Sequence, residues 1–293
     1  TYTADVDLAR AIVRLDSGMS LTDADAWALL ANTEHELLTN PATIDHHYGL
    51  FGGAANSGPA SSVIFWQRVQ DPASDTWSEE LRQSLIEVSN ADDQNLSSAL
   101  SAASQLLLNV PSVEHVSVDE LLNWDAGTPE DWQARMDSGE NNAEAISSLI
   151  ALSSTLTQDR NESHVEMISP LQGQVIASLS PLGAIQGLDL RAPIMGMLPA
   201  DSRDNPWEEA DKALVTLALD TSPSNHGVEL DTEVSVIVKD MTLDLDDSLQ
   251  GLAEDSGATI TVFSFSRFAE EQAGNLGAEI GILTSASIAI LGI

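Results

Sequence analysis

The sequence predicts an α+β protein in which a helical N-terminal half is followed by an antiparallel β-rich C-terminal half. Three observations carry that expectation. Up to about residue 160, apolar residues recur at helical spacing behind recognisable capping signals. From 165 to 199 the chain is punctuated by Pro170, Gly173, Pro181, Gly183, Gly187, Pro193, Gly196 and Pro199, the texture of short strands joined by turns. Then Val228, Leu230, Thr232, Val234, Val236 and Val238 alternate with Glu229, Asp231, Glu233 and Ser235, as in a strand with one dry and one wet face. The matching division is a mainly helical region over 1–160 and a β-rich region with short helices over 161–293.

Taken in order, Val6, Ala9, Ile12 and Val13 share one face of a helix near Val6–Leu15. Thr22-Asp23-Ala24-Asp25 caps a second helix through Leu38, which ends before Pro41. Ser61–Val69 is an apolar stretch that periodicity alone leaves open between a helical turn and a short buried strand. Helices are expected from Trp77 to Val88, with Glu79 and Glu80 in the first turn, and from Asp92 to Asn109. Ser117 with Glu120 forms a capping box, Thr128-Pro129 opens another helix, and Asn141 with Glu144 starts one that runs to about Thr157. Asn205-Pro206-Trp207-Glu208 reads as one capped turn. Ala213–Leu219 and Thr259–Phe265 read as buried strands, Ser266–Ala273 as a short helix and Ile280–Ile293 as a final apolar strand or strand pair.

The charge balance bounds the partners. There are 46 acidic and 11 basic residues, a formal net charge of −35, and only Lys212 and Lys239 are lysines. With 43% hydrophobic residues the chain can still bury a core. Self-repulsion of this size weakens a compact state in dilute buffer, and at 1 M salt a Debye length of about 3 Å screens most of it. The composition resembles that of proteins from halophilic archaea and their viruses, which implies a virion, an extracellular high-salt setting or a halophilic cytoplasm. No sequence window clusters cations, so direct nucleic-acid binding is not expected. No apolar run reaches the roughly 18 residues of a membrane span, and without cysteine there are no thiolate nucleophiles or cysteine metal sites.

The densest chemistry lies in Asp45–Pro59, with adjacent His46 and His47 and four glycines, Gly49, Gly52, Gly53 and Gly58. Adjacent histidines on extended backbone point to opposite sides, and the helical two-histidine zinc spacing is absent, so no metal is assigned. Gly49-Leu50-Phe51-Gly52-Gly53-Ala54-Ala55 is similar in texture to viral fusion peptides, over seven residues and without their following amphipathic helix. The glycines instead mark backbone that bends sharply or lies close to a neighbour. Asp240, Asp244, Asp246 and Asp247 fail the calcium-loop pattern and read as a hydrated face with weak cation binding. No nucleophile elbow, phosphate loop or dinucleotide fingerprint is present, so the sequence assigns no catalytic residue, cofactor or metal.

The resulting expectation is a non-enzymatic structural subunit that self-associates and meets other subunits of a large assembly. Size, α+β content and missing motifs resemble the major capsid proteins of tailed viruses, which implies a virion component. A cell-surface or virion attachment protein, glycosylated at Asn95 or Asn161, is the first alternative. A hydrolase using a carboxylate of raised pKa is the second.

Overall fold

The structure is a computed structural model that describes residues 5–16, 18–49, 55–70, 77–111, 116–128, 130–131, 134, 143–185, 191–202 and 204–269. In chain order the elements are β1 (Val6–Arg14), α1 (Ala24–Thr39), β2 (Asn56–Ser57), α2 (Pro59–Gln70), α3 (Trp77–Asn90), α4 (Leu96–Leu106) and α5 (Val118–Asn123). They continue with α6 (Ala143–Thr155), α7 (Glu162–Ile185), α8 (Arg191–Gly196), α9 (Pro206–Glu209), β3 (Lys212–Asp220), α10 (Asp231–Ser256) and β4 (Thr259–Phe263). The expected segregation into a helical and a β-rich half is overturned: the C-terminal half is largely helical and the strands are scattered along the chain. The chain divides into two compact units, one of Thr1–Ser62, His115–Pro129 and Pro193–Ile293, the other of Val63–Glu114 and Glu130–Ala192. Each draws on segments from both sides of residue 160.

The first unit is built on a four-stranded sheet of order β2-β3-β1-β4, antiparallel at every pairing. β1, expected as a helix, is one of its two inner strands. It pairs along its whole length with β3, from Val6 opposite Asp220 to Arg14 opposite Lys212, and with β4 from Arg10 opposite Phe263. The helical spacing of Val6, Ala9, Ile12 and Val13 is outweighed by burial of the alternate set Asp7, Ala9, Ala11 and Val13. Facing them from β3 and β4 are Ala213, Val215, Leu217, Ile260 and Val262, all buried. Helices α1 and α10 cover this face with Trp27, Leu30, Leu37, Val238, Leu245 and Leu249.

The expected strand at Val228–Val238 lies in α10, apart from its first residues. Val234, Val238, Met241, Leu245, Leu249 and Ala253 are buried at three- and four-residue steps, whereas Val236 is exposed. The β-period of the valines is therefore a local coincidence inside a longer helical stripe. Gly257 closes the helix with φ +73°, the left-handed geometry a helix end favours glycine for.

The second unit is helical. Trp77, Leu81, Leu85 and Val88 of α3, Leu96 and Ala103 of α4, Ile146 and Leu149 of α6, and Ile168, Leu171, Val175, Leu179 and Leu182 of α7 form one core. The strands expected in 165–199 are α7 and α8 instead. Pro170 and Pro181 sit inside α7, eleven positions and about three turns apart, away from the buried stripe. Water can satisfy the carbonyls they leave unbonded, and the continuous apolar stripe outweighs their cost. Arg160 ties the unit together by donating to the carbonyl oxygens of Val88 (2.9 Å) and Ala91 (2.8 Å) at the end of α3.

Several local readings hold. α3, α4 and α6 lie where the periodicity places them, the Ser117 and Glu120 capping box is formed, and β3 coincides with the apolar run. Ser61–Val69 resolves as helix. β4 is buried on one face and open on the other, where burial on both was expected. Residues 265–269 are helical, and the strand expected at Ile280–Ile293 lies outside the described residues.

Two buried carboxylates hold helix starts from a distance. Asp7 accepts from the backbone N–H of Phe265 (3.2 Å) and Ser266 (2.8 Å). Glu34 of α1 accepts from the backbone N–H of Ala60 (2.7 Å) and Ser61 (3.0 Å) at the start of α2. The approach of Gly58 permits this, because a Cβ there would fall 2.2 Å from Glu34 Cδ. Gly58→Val should therefore cost about 1–3 kcal/mol by overpacking. A chemical-denaturation midpoint equal to that of the parent chain would contradict the placement of Glu34.

Candidate interaction surface

The outer face of the sheet carries the side chains that the strand alternation turns away from the helices. On β1 these are Leu8, Arg10, Ile12 and Arg14, opposite Ala218, Thr216, Leu214 and Lys212 of β3. On β4 they are Thr259, Thr261 and Phe263. Arg10, Arg14 and Lys212 are three of only 11 cations in the whole chain, gathered on one face. Arg14 stands directly opposite Lys212, a like-charge pairing that weakens a sheet. Lys212 reaches Asp211 at 3.6 Å. Arg10 and Arg14 make no ion pair among the described residues. The Arg10 guanidinium instead lies 6.0 Å from the centre of the Phe263 ring, a cation–π distance.

An open cleft of about 520 Å³ adjoins this face, lined by Arg10, Thr261, Phe263, Phe265, Arg267 and Phe268 among others. Phe265 and Phe268 are 73% and 59% exposed, and Phe263 and Ile12 over a third. Large aromatics this bare, grouped together, mark a contact site better than scattered apolar residues do.

The outer edge of β4 is closed to a further strand. Asp246 accepts from the Val262 N–H (2.9 Å), Gln250 donates to the Ile260 carbonyl (3.0 Å) and Arg267 donates to the Val262 carbonyl (2.6 Å). Arg267 is itself fixed by Asp246 at 3.0 Å. Side chains thus occupy the groups a pairing strand needs, a recognised protection of an edge. A strand therefore cannot extend the sheet at this edge, and the face with its aromatic end is what lies open here.

The stretch singled out in the sequence lies at the opposite edge. Ile44–His46 form a turn of 3-10 helix, His47 bridges to Leu219, and the Tyr48 N–H donates to Ala218 (2.9 Å). Asn56 and Ser57 then pair with β3 as β2. The two ends of the glycine-rich joint thus lie against the sheet of its own chain, and residues 50–54 lie outside the described residues.

His46 stacks on His226 with ring centres 4.5 Å apart and planes 14° from parallel. His226 Nε2 donates to the Asp220 carbonyl at 2.7 Å. Lone pairs of imidazole lie in the ring plane, so nearly parallel stacked rings cannot aim two of them at one ion. Among the described residues no group of three or more His, Asp or Glu is arranged to hold a metal. Burial is the main cause that lowers the pKa of His46, with His226 adding to it, and burial likewise lowers that of His47.

Among the described residues Glu34 is the carboxylate whose pKa is pushed up, to about 7, because burial outweighs the bonds from Ser61 and Ala60. That value suits a general acid, but Glu34 is fully buried, caps α2 and lines neither the β4 cleft nor a second one of about 410 Å³ between α3 and α6. What it does among the described residues is hold the start of α2. The acidic positions of α10 divide: Asp246 is half-buried and bonded, whereas Asp240, Asp244 and Asp247 face solvent. No helix among the described residues is long and apolar enough to cross a membrane.

No protein family, curated protein or solved structure matches the chain.

The raised pKa of Glu34 means that the folded chain holds a proton the unfolded chain releases above about 4.5. Its contribution to stability therefore falls as pH rises from about 4.5 to about 7. His46 and His47, with lowered values, act oppositely, adding stability as pH rises through their folded values towards 6.5. In Glu34→Gln the falling contribution should vanish and stability should rise with pH across this window. Denaturant midpoints measured from pH 5 to 7.5 check this, and parallel profiles for parent and variant would refute it.

Proposed function

We propose that this chain is a non-enzymatic structural subunit that self-associates in concentrated salt through the outer face of its sheet, as part of a virion or another extracellular assembly in a halophilic setting. The observation that carries the reading is the exposed group Ile12, Phe263, Phe265 and Phe268 around Arg10. In a chain of net charge −35, solubility in concentrated salt rests on carboxylates that hold water. A bare aromatic patch flanked by cations is the reverse of that surface, and covering it with protein gains apolar burial. Each phenylalanine buried is worth about 1.5–3 kcal/mol. Concentrated salt favours the contact by screening the repulsion between copies that opposes it.

A second reading, a cell-surface attachment protein held at a membrane, draws on the run from Ile280 to Ile293. It contains no charged residue in a chain where 19% are charged, and so would enter a bilayer boundary without the penalty of burying charge. Co-flotation with liposomes, lost on removing residues 280–293, would favour it.

Sedimentation velocity of the full chain separates the readings. The structural-subunit reading expects a monomer in dilute buffer and larger species in molar salt, with Phe265→Ser combined with Phe268→Ser weakening association at least tenfold. A chain that stays monomeric in molar salt at every concentration would overturn it.

A further inference from the structure

We infer that the subunits join head to tail, the cationic outer face of the sheet of one copy seating on the acidic stripe of α10 of the next. This rests on the self-association just proposed and names its interface. The two surfaces lie on opposite sides of the first unit. α10 presses Val234, Val238, Met241, Leu245 and Leu249 towards the sheet's inner face, so its exposed side points away from the strands. Along that side run Glu233, Asp240, Asp244, Asp247 and Glu254, all exposed. Their spacing of seven, four, three and seven residues keeps them on one line of the helix, about 30 Å long at 1.5 Å per residue.

The complement is geometric as well as electrostatic. Arg10 and Arg14 stand about 13 Å apart along β1, and Asp240 and Asp247 about 10 Å apart along α10. Among the described residues Arg10 and Arg14 have no carboxylate partner, although the chain holds 46 Asp and Glu, and Arg14 is set against Lys212 at a cost to the sheet. A second copy supplies what is missing. Pairs in direct contact survive a Debye length of about 3 Å, while the long-range repulsion between two chains of charge −35 does not.

Symmetry follows from charge. Laying the sheet face of one copy on that of another would oppose Arg10, Arg14 and Lys212 to themselves, so a self-complementary dimer is disfavoured. Contact between two different surfaces repeats, giving a ring where the rotation closes and a filament where it does not.

The test is a charge swap in the full chain. One variant carries Arg10→Glu and Arg14→Glu; the other carries Asp240→Lys, Asp244→Lys and Asp247→Lys. All but the half-buried Arg10 are exposed positions, and circular dichroism establishes that both variants fold. In molar salt each variant alone should lose assembly by at least tenfold in dissociation constant, and an equimolar mixture should recover it, because each sheet face then meets a helix of opposite charge. Assembly of the parent chain with both variants assembling unimpaired, or with a mixture that fails to recover, would overturn the head-to-tail interface while leaving self-association standing. Variants that assemble normally but lose binding to anionic vesicles would assign the cationic face to lipid and overturn it too. A parent chain that never assembles would overturn the functional reading itself.

Discussion

The pairing of β1 with β3 is the constraint on which the rest depends. It joins residues some two hundred positions apart, and its register decides which side chains face the helices and which face out. With Arg10 opposite Thr216 and Arg14 opposite Lys212, the inner face is Asp7, Ala9, Ala11 and Val13, small enough for α1 and α10 to approach. A slip of one residue would bury Arg10, Ile12 and Arg14 and expose the core set, so the register is strongly specified. The same pairing also gathers Arg10, Arg14 and Lys212 on one face of an otherwise acidic chain.

Acidity acts at two levels. On the surface, carboxylates hold water and oppose compaction in dilute solution. Inside, a few do local work: Asp7 and Glu34 satisfy the first N–H groups of helices elsewhere in the chain, and Asp246 seals an edge strand. Buried carboxylates placed on unpaired backbone donors are stabilised by hydrogen bonds and by the positive end of the helix. For Glu34 that support does not fully offset the cost of burial, and its raised pKa records the difference.

Much of the local structure was legible in the sequence because it is decided locally. The capping box at Ser117, the acidic first turn of α3 and the apolar run of β3 each follow from neighbouring residues. What was not legible was decided by partners far along the chain. β1 carries a helical spacing and becomes a strand because two strands from beyond residue 210 flank it. Proline and glycine in 165–199 suggested turns, yet a buried stripe running through Ile168, Leu171, Val175, Leu179 and Leu182 holds α7 together. The cationic face is not visible as clustered charge in the sequence because positions 10, 14 and 212 share no window. Alternation in β1, with Leu8, Arg10, Ile12 and Arg14 on one side, was the signal available. The histidines stand out in the sequence by adjacency; in the fold His46 stacks on His226 and His47 bridges to Leu219 at the edge of the sheet.

In the proposed assembly the outer sheet face of each copy is covered by the α10 stripe of a neighbour. Footprinting of the assembled and dissociated chain tests this directly, with hydroxyl radicals reading the aromatic rings and a carbodiimide label reading the carboxylates. Assembly should protect Phe263, Phe265 and Phe268 together with Asp240, Asp244 and Asp247, leaving acids elsewhere reactive. Assembled chains in which those rings and carboxylates label as freely as in the monomer would contradict it.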